Sequence, residues 1–314
     1  MTAVLDTFVL ERAPGPVVSL HPALVGLRGA FNDTFAVLGT IPDERLTSLW
    51  VWDGNDINVR YAFYRTLEII ESATAEVARA IGGSESSEAR EAVGATSAAR
   101  WELQGVLAGL SDSDLDADPG GGEWTVRQTM GHIIGGQRGY AWGSAYWISA
   151  RHEPKPDGPR RAPDQLFSSM PEDDAEATGT FADVCQKLDD IVDATSSRYA
   201  TLSTEEMDAA AGWYGFPVTV GFRMWRWPSH IEEHTVQVEK TLDMINHRAT
   251  EVERLVRLNY RALGRLEALV FGRSAEQLDA ADVAPTLDRV ASALRDMATR
   301  VKAAADGGVP GPPD

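Results

Sequence analysis

Thr125 to Tyr140 reads TVRQTMGHIIGGQRGY, and the fold class turns on this stretch. Thr125 and Gln128 stand in the T-x-x-Q relation of a capping box, in which the hydroxyl takes an amide of the first turn and the Gln side chain returns to the cap's own N–H. The box predicts a helix opening at Val126 and running to about Ile148. Gly131, Gly135, Gly136 and Gly139 fall inside it, although a helix-interior glycine costs up to about 1 kcal/mol against Ala. Two readings stay open: something approaches this helix closely, or it packs tightly on a neighbouring helix. His132 lies in the same stretch.

Helical periodicity continues on both sides. Leu24, Leu27, Phe31, Phe35 and Leu38 recur at the three- and four-residue spacing of a core-facing helix. Further helices are expected over Ile57–Ile81, Glu88–Leu110, Phe181–Tyr199, Val252–Phe271 and Thr286–Ala304. Another is expected to open at the Ser229–Glu232 capping box and run to about Ile245. The aromatic connection GWYGFPVTVGFRMWRWP has room for one short extended element. The predicted class is all-α. An echo between GTIPDERL with DINVR (Gly39–Arg60) and GLSDSDL with EWTVR (Gly109–Arg127) suggests a decayed repeat that would set Arg65 where His132 sits.

The chain carries 29 Lys and Arg against 47 Asp and Glu, a net charge of −18, and one cysteine. Such a field repels polyanions, so nucleic acid and anionic membranes are excluded as expected partners. One cysteine rules out a disulfide within the chain and fits a reducing cytoplasm. The N-terminal segment lacks the features of a targeting signal, and no stretch has the ~18 apolar residues of a membrane span. The Gly/Pro-rich end, Asp306 to Asp314, is expected to be disordered. The acidic runs Asp112–Asp118 and Glu172–Glu176 read as solvated loops. His21, His152 and His247 read as surface residues. The long Arg151–Thr180 segment reads as a lid, a binding loop or disorder.

Downstream, SHIEEHTVQVEKT (Ser229–Thr241) sets His230 and His234 four residues apart, ~40° around one helix face, where two imidazoles can grip one cation. Gln237 and Thr241 extend the same stripe. Such a pair alone also suits a surface or interface. The polar row and a third imidazole, His132, on a separate helix favour a metal site, because unpartnered polar groups in a bundle core cost kilocalories each.

Trp124, Val126, Arg127 and His132, followed by Trp227, His230 and His234, resemble the two motifs of the DinB-like superfamily over roughly Ser87 to Asn246. That superfamily comprises four-helix bundles and includes bacillithiol and mycothiol S-transferases and mycothiol-dependent maleylpyruvate isomerases. The resemblance implies a DinB-like bundle over residues 87–246 holding a divalent metal on His132, His230 and His234. Zinc is the first choice, with nickel, iron and manganese as the others. Residues 1–86 would form an N-terminal helical extension and 247–305 C-terminal helices packing with it. Together they would make a second, degenerate bundle that shapes the pocket or a homodimer interface.

The implied activity is thiol S-transfer. An open position on such a metal lowers a thiol's pKa and yields thiolate at neutral pH. The Arg-over-Lys skew, with only four lysines, is typical of high-GC bacterial genomes and points to mycothiol as co-substrate. The electrophile would be a small molecule, from detoxification or secondary metabolism. Tyr140, Arg223 and Arg226 are the candidate catalytic residues, as hydrogen-bond donor and anion clamp. Trp213, Trp225, Trp227 and Gln237 are the candidates to hold the co-substrate, with Trp142, Trp147 and Tyr214 as further walls. Cys185 reads as a buried helix residue, leaving the sulfur to come from outside. Mycothiol-dependent isomerisation, a non-catalytic metal-binding bundle, and hydrolysis through the H-x-x-E-H of His230–His234, with Glu233 as general base, are the alternatives.

Overall fold

Residues 18–52, 54–82, 87–153 and 160–306 are described in a computed structural model of the chain. The N-terminal segment, the centre of the GGSESS linker and the tail beyond Asp306 lie outside the described residues. Among the described residues the elements run α1 (Pro22–Leu38), β1 (Leu49–Trp52), β2 (Asn55–Asn58), α2 (Val59–Ile81), α3 (Glu88–Leu107), α4 (Asp112–Asp116) and α5 (Val126–Ser149). There follow α6 (Asp173–Glu176), α7 (Phe181–Tyr199), α8 (Thr204–Met207), β3 (Ala210–Trp213), β4 (Phe216–Thr219), α9 (Val220–Met244), α10 (Glu251–Val270), α11 (Ala275–Ala280) and α12 (Ala284–Ala305). The protein is all-α apart from two antiparallel two-stranded hairpins. Among the described residues no helix is long and apolar enough to cross a membrane.

The helices form two four-helix bundles. One consists of α3, α5, α7 and α9; the other of α1, α2, α10 and α12, with α10 packed against α3 to join them. The two long helices cross antiparallel. Gly94 of α3 lies on Ala268 of α10, and Gly105 on Arg257 and Tyr260. A Cβ at either glycine would strike the partner helix.

The bundles are copies of one another, in a register different from the one the sequence suggests. The β1–β2 hairpin enters α2 as the β3–β4 hairpin enters α9, each turning on a left-handed glycine, Gly54 or Gly215. Trp52 matches Trp213, Val59 matches Val220, and Arg65 matches Arg226. In both copies the arginine lies over the tryptophan ring at 5.8 Å. The predicted repeat is corrected: Gly39–Arg60 corresponds to the approach to α9, and Arg65 is no counterpart of His132. A second correspondence joins Ser111–Ala117 (SDSDLDA) to Ser274–Ala280 (SAEQLDA). Each opens with a capping box and buries its leucine, Leu115 or Leu278. In chain order, α1 and α2 are the last two helices of one bundle, and α10 and α12 are its first two. The complete second copy sits between them.

Several element boundaries also differ from expectation, two of them near a hairpin. Ile57 belongs to β2, and α2 opens at Val59 on an Asn58 cap. The Ser229 box does not form. Instead α9 starts ten residues earlier on a Thr219 cap and runs straight through Pro228. Proline removes one ladder hydrogen bond, and Ser229 bonds back to the Trp225 carbonyl at 3.2 Å, as a hydroxyl inside a helix does. Arg223, Arg226, His230, His234 and Gln237 therefore share one continuous helix.

Candidate metal centre

Two helices carry the three imidazoles. α5 brings His132 about two turns in from its Thr125 cap, and α9 brings His230 and His234 about one turn apart. One nitrogen from each ring lies within 4.8 Å of the others, and the ring centroids are separated by 5.2, 4.7 and 4.4 Å. The other nitrogen is engaged in two of them. His132 Nδ1 meets Asp173 Oδ2 at 2.9 Å, and His234 Nδ1 meets Gln237 Oε1 at 2.7 Å. Both partners are acceptors in these pairs, so Nδ1 carries the proton and Nε2 presents its lone pair, the tautomer a metal ligand needs. His230 is 5% exposed, and its Nδ1 is buried without a partner. Burial, then the two neighbouring imidazoles, push its pKa down to about 3. Burial also lowers that of His234. Clustered neutral imidazoles, one with an orphaned nitrogen, suit a divalent cation and resist protonation.

The glycines of α5 make room for this arrangement. At Gly136 a Cβ would stand 2.5 Å from His230 Cε1, so only glycine admits that ring. At Gly131 and Gly135 it would overlap the Asp173 carbonyl and carboxylate, and glycine there admits α6. Arg127 fixes the same segment from below. Its guanidinium donates to the Ala177 and Gly179 carbonyls, both at 2.8 Å, and pairs with Asp116. Trp124 packs edge-on to His132 at 5.1 Å. Its carbonyl accepts from Thr241 at 3.1 Å.

The histidines face a cavity of about 820 Å³. Gly136, Gly139, Tyr140 and Trp147 of α5, Trp213 and Tyr214 of the second hairpin, and Phe222, Arg223 and Arg226 of α9 line it. The segment before Phe167 closes it with Arg160, Arg161 and Asp164. Arg160 is seated on the hairpin by a backbone bridge to Gly215 and by donation to the Ala210 carbonyl at 3.0 Å.

A family model for the DinB superfamily matches residues 95–238, the stretch that runs from α3 into α9 and includes all three histidines. This stretch belongs to the DinB superfamily. No curated protein and no solved structure matches the chain.

Within the DinB bundle the expected site residues divide. Tyr140 stands on the cavity wall, 5.1 Å from the His230 ring, with its hydroxyl bonded to Arg226. Burial raises its pKa. Arg226 is committed to Glu233 through two hydrogen bonds of 2.7 and 2.8 Å. Arg223 is 7% exposed and has no carboxylate partner among the described residues. Trp213 forms a wall.

Trp225 and Trp227 do not. Trp225 turns outward and donates to Glu88, while Trp227 is fully buried against Tyr199. Helical rotation takes both away from the face that holds His230. Trp142 is likewise core, whereas Trp147 and Tyr214 reach the cavity. Gln237 orients His234 and does not line the cavity. Burial drives the Cys185 thiol up to about 12, so it stays protonated.

The acidic run Glu172–Glu176 is not the solvated loop it was expected to be. Asp173 holds His132, and Glu176 is buried on Arg138 at 2.7 Å. Nor is His21 a surface residue: it is buried and caps α1. Sequence reasoning missed Asp173, Arg160 and Arg161. The adjacent Arg160–Arg161 pair in so acidic a chain was the available signal for two of them.

Proposed function

We propose that the DinB bundle is a metal-dependent thiol S-transferase, with mycothiol the thiol favoured by the resemblance and the composition. One observation carries the reading: three neutral histidines converge on a roomy cavity with no carboxylate among the described residues completing the set, the donor arrangement of catalytic sites. A divalent ion held there would act as Lewis acid and lower the pKa of a thiol at an open position.

The chain's own residues do the rest. Asp173 and Gln237 hold the ring tautomers, and Tyr140, braced by Arg226, offers a hydrogen bond beside His230. Trp213 and Trp147 shield the reacting pair from water. The co-substrate's sulfur forms the new bond to the electrophilic carbon, whose leaving group departs. Cys185 has neither the position nor the acidity to supply that sulfur.

Hydrolysis through H-x-x-E-H is disfavoured by the state of Glu233. Its hydrogen bonds to Arg226 lower its pKa and hold it in a bidentate ion pair, whereas a general base needs a pKa near the working pH.

Metal-loaded protein mixed with mycothiol and an alkyl halide should yield the S-conjugate by mass spectrometry well above the uncatalysed reaction. The product should fall to background in His132→Ala, His230→Ala and His234→Ala and persist in Glu233→Gln. Background conversion by the wild type, or loss of activity in Glu233→Gln alone, refutes the transferase.

A further inference from the structure

Arg223 is a buried cation without a counter-charge among the described residues. Its Nη1 donates to the Gly212 carbonyl at 2.8 Å, and the guanidinium lies 5.3 Å from the centre of the Trp213 ring. Nε is buried without an acceptor, and Nη2, lying over Gly143, has none among the described residues. Every other arginine that lines the cavity is accounted for differently: Arg226 pairs with Glu233, Arg160 is seated on the hairpin, and Arg161 is exposed to water. Asp164, the one carboxylate on the cavity wall among the described residues, makes no ion pair with Arg223. Burial holds the Arg223 guanidinium down to about 10, with only tyrosine hydroxyls opposing it, so it stays charged at neutral pH.

A charge left this deep without a partner is costly. The Nε–Nη2 edge has no protein acceptor among the described residues and is the fork that matches both oxygens of a carboxylate, which must part the packing over Nε to reach it. A net charge of −18 keeps anions away from the rest of the surface, so a binding anion must be paid for locally.

We propose that Arg223 is the anion subsite of this cavity and that the ligand taken beside the histidines carries a carboxylate at its far end. Gly143 and Gly136 of α5 cradle Arg223 and His230 in turn. In both helices the two positions are seven residues apart, which places the carboxylate about 10 Å from the histidine cluster at 1.5 Å per residue. The inference rests on the proposed function only for the sulfur at the near end and, because mycothiol carries no carboxylate, selects an acidic thiol over mycothiol within that function; the anion subsite stands without it.

The test uses metal-loaded full-length protein and calorimetric titration with 6-mercaptohexanoate, 6-mercapto-1-hexanol and hexanoate. The mercapto acid should bind about tenfold or more tighter than the mercapto alcohol, as hydrogen bonds to a charged partner imply. Arg223→Met should abolish that advantage and leave the alcohol's affinity unchanged. Should Arg223→Met fail to fold, Arg223→Lys decides, since losing the fork must cut the advantage at least severalfold. Equal affinities of acid and alcohol in the wild type overturn the proposal. So does an advantage that survives in Arg223→Met, or in Arg223→Lys where that variant decides, because it then belongs to the metal or to Arg161. If hexanoate binds as tightly as the mercapto acid, the thiol reading fails while Arg223 dependence remains measurable.

Discussion

A single carboxylate shows how the site is tuned from outside its ligands. Asp173 touches no metal position, yet it accepts from His132 Nδ1 and so fixes which nitrogen faces His230 and His234. Loss of such a partner costs 10- to 100-fold in metal affinity in comparable sites. Asp173 is half exposed, which places the expected effect of Asp173→Ala at the lower end, about tenfold. Competition against a chromophoric chelator measures it. Asp174→Ala is the control, an exposed neighbour with no bond to His132. Equal losses in both variants would mean that general surface charge, not the hydrogen bond, is at work.

The element scale explains why α5 keeps glycine against its own helix propensity. Ala for Gly in an open helix position stabilises by up to about 1 kcal/mol, and Gly29 of α1, with nothing near its missing Cβ, should gain that in a thermal melt of Gly29→Ala. Gly136→Ala should do the opposite. Its Cβ would stand 2.5 Å from His230 Cε1, so the ring must leave the cluster, and bound metal per chain should drop sharply. Retention of a full metal equivalent in Gly136→Ala would show that the ring has another place to sit within the set.

The sequence made part of this legible. The Thr125–Gln128 box and the two-helix spacing of His132, His230 and His234 rest on local periodicity, which the chain carries on its face. Two things were hidden because they depend on tertiary contact. The glycines could not reveal whether they admitted a helix or a side chain, and they admit both, α6 and the His230 ring. Pro228 next to Ser229 has the form of a helix start, yet packing carries α9 through it and draws Arg223 and Arg226 onto the histidine helix.

On the scale of the molecule, the copy without the three clustered histidines acts through α10. Ile69 and Ala73 stand in α2 where α9 has His230 and His234, so that bundle lacks the helical pair. It contributes instead the scaffold against which α3 is set. Glu267 of α10 sits fully buried at the junction, bound by Arg28 of α1, Arg100 of α3 and the Ser97 hydroxyl. Arg28 and Arg100 also reach Asp193 of α7, at 2.6 and 3.0 Å, so one network spans both bundles. Burial by itself would raise the Glu267 pKa, but Arg28 and Arg100 overcome it and hold it at about 2, against 4.5 for a free glutamate. Between those values the unfolded chain binds the proton and the folded chain does not. The network's contribution is therefore complete above about pH 4.5 and is lost as pH falls toward 2. Glu267→Gln leaves two buried arginines short of a counter-charge and should cost ~3–5 kcal/mol at neutral pH. The gap between wild type and variant, from urea unfolding at a series of pH values, should shrink steadily below pH 4.5 as the wild-type carboxylate loses its advantage. A gap of constant size from pH 7 to pH 3 would show that Glu267 holds the two bundles together by shape alone and that its charge contributes nothing.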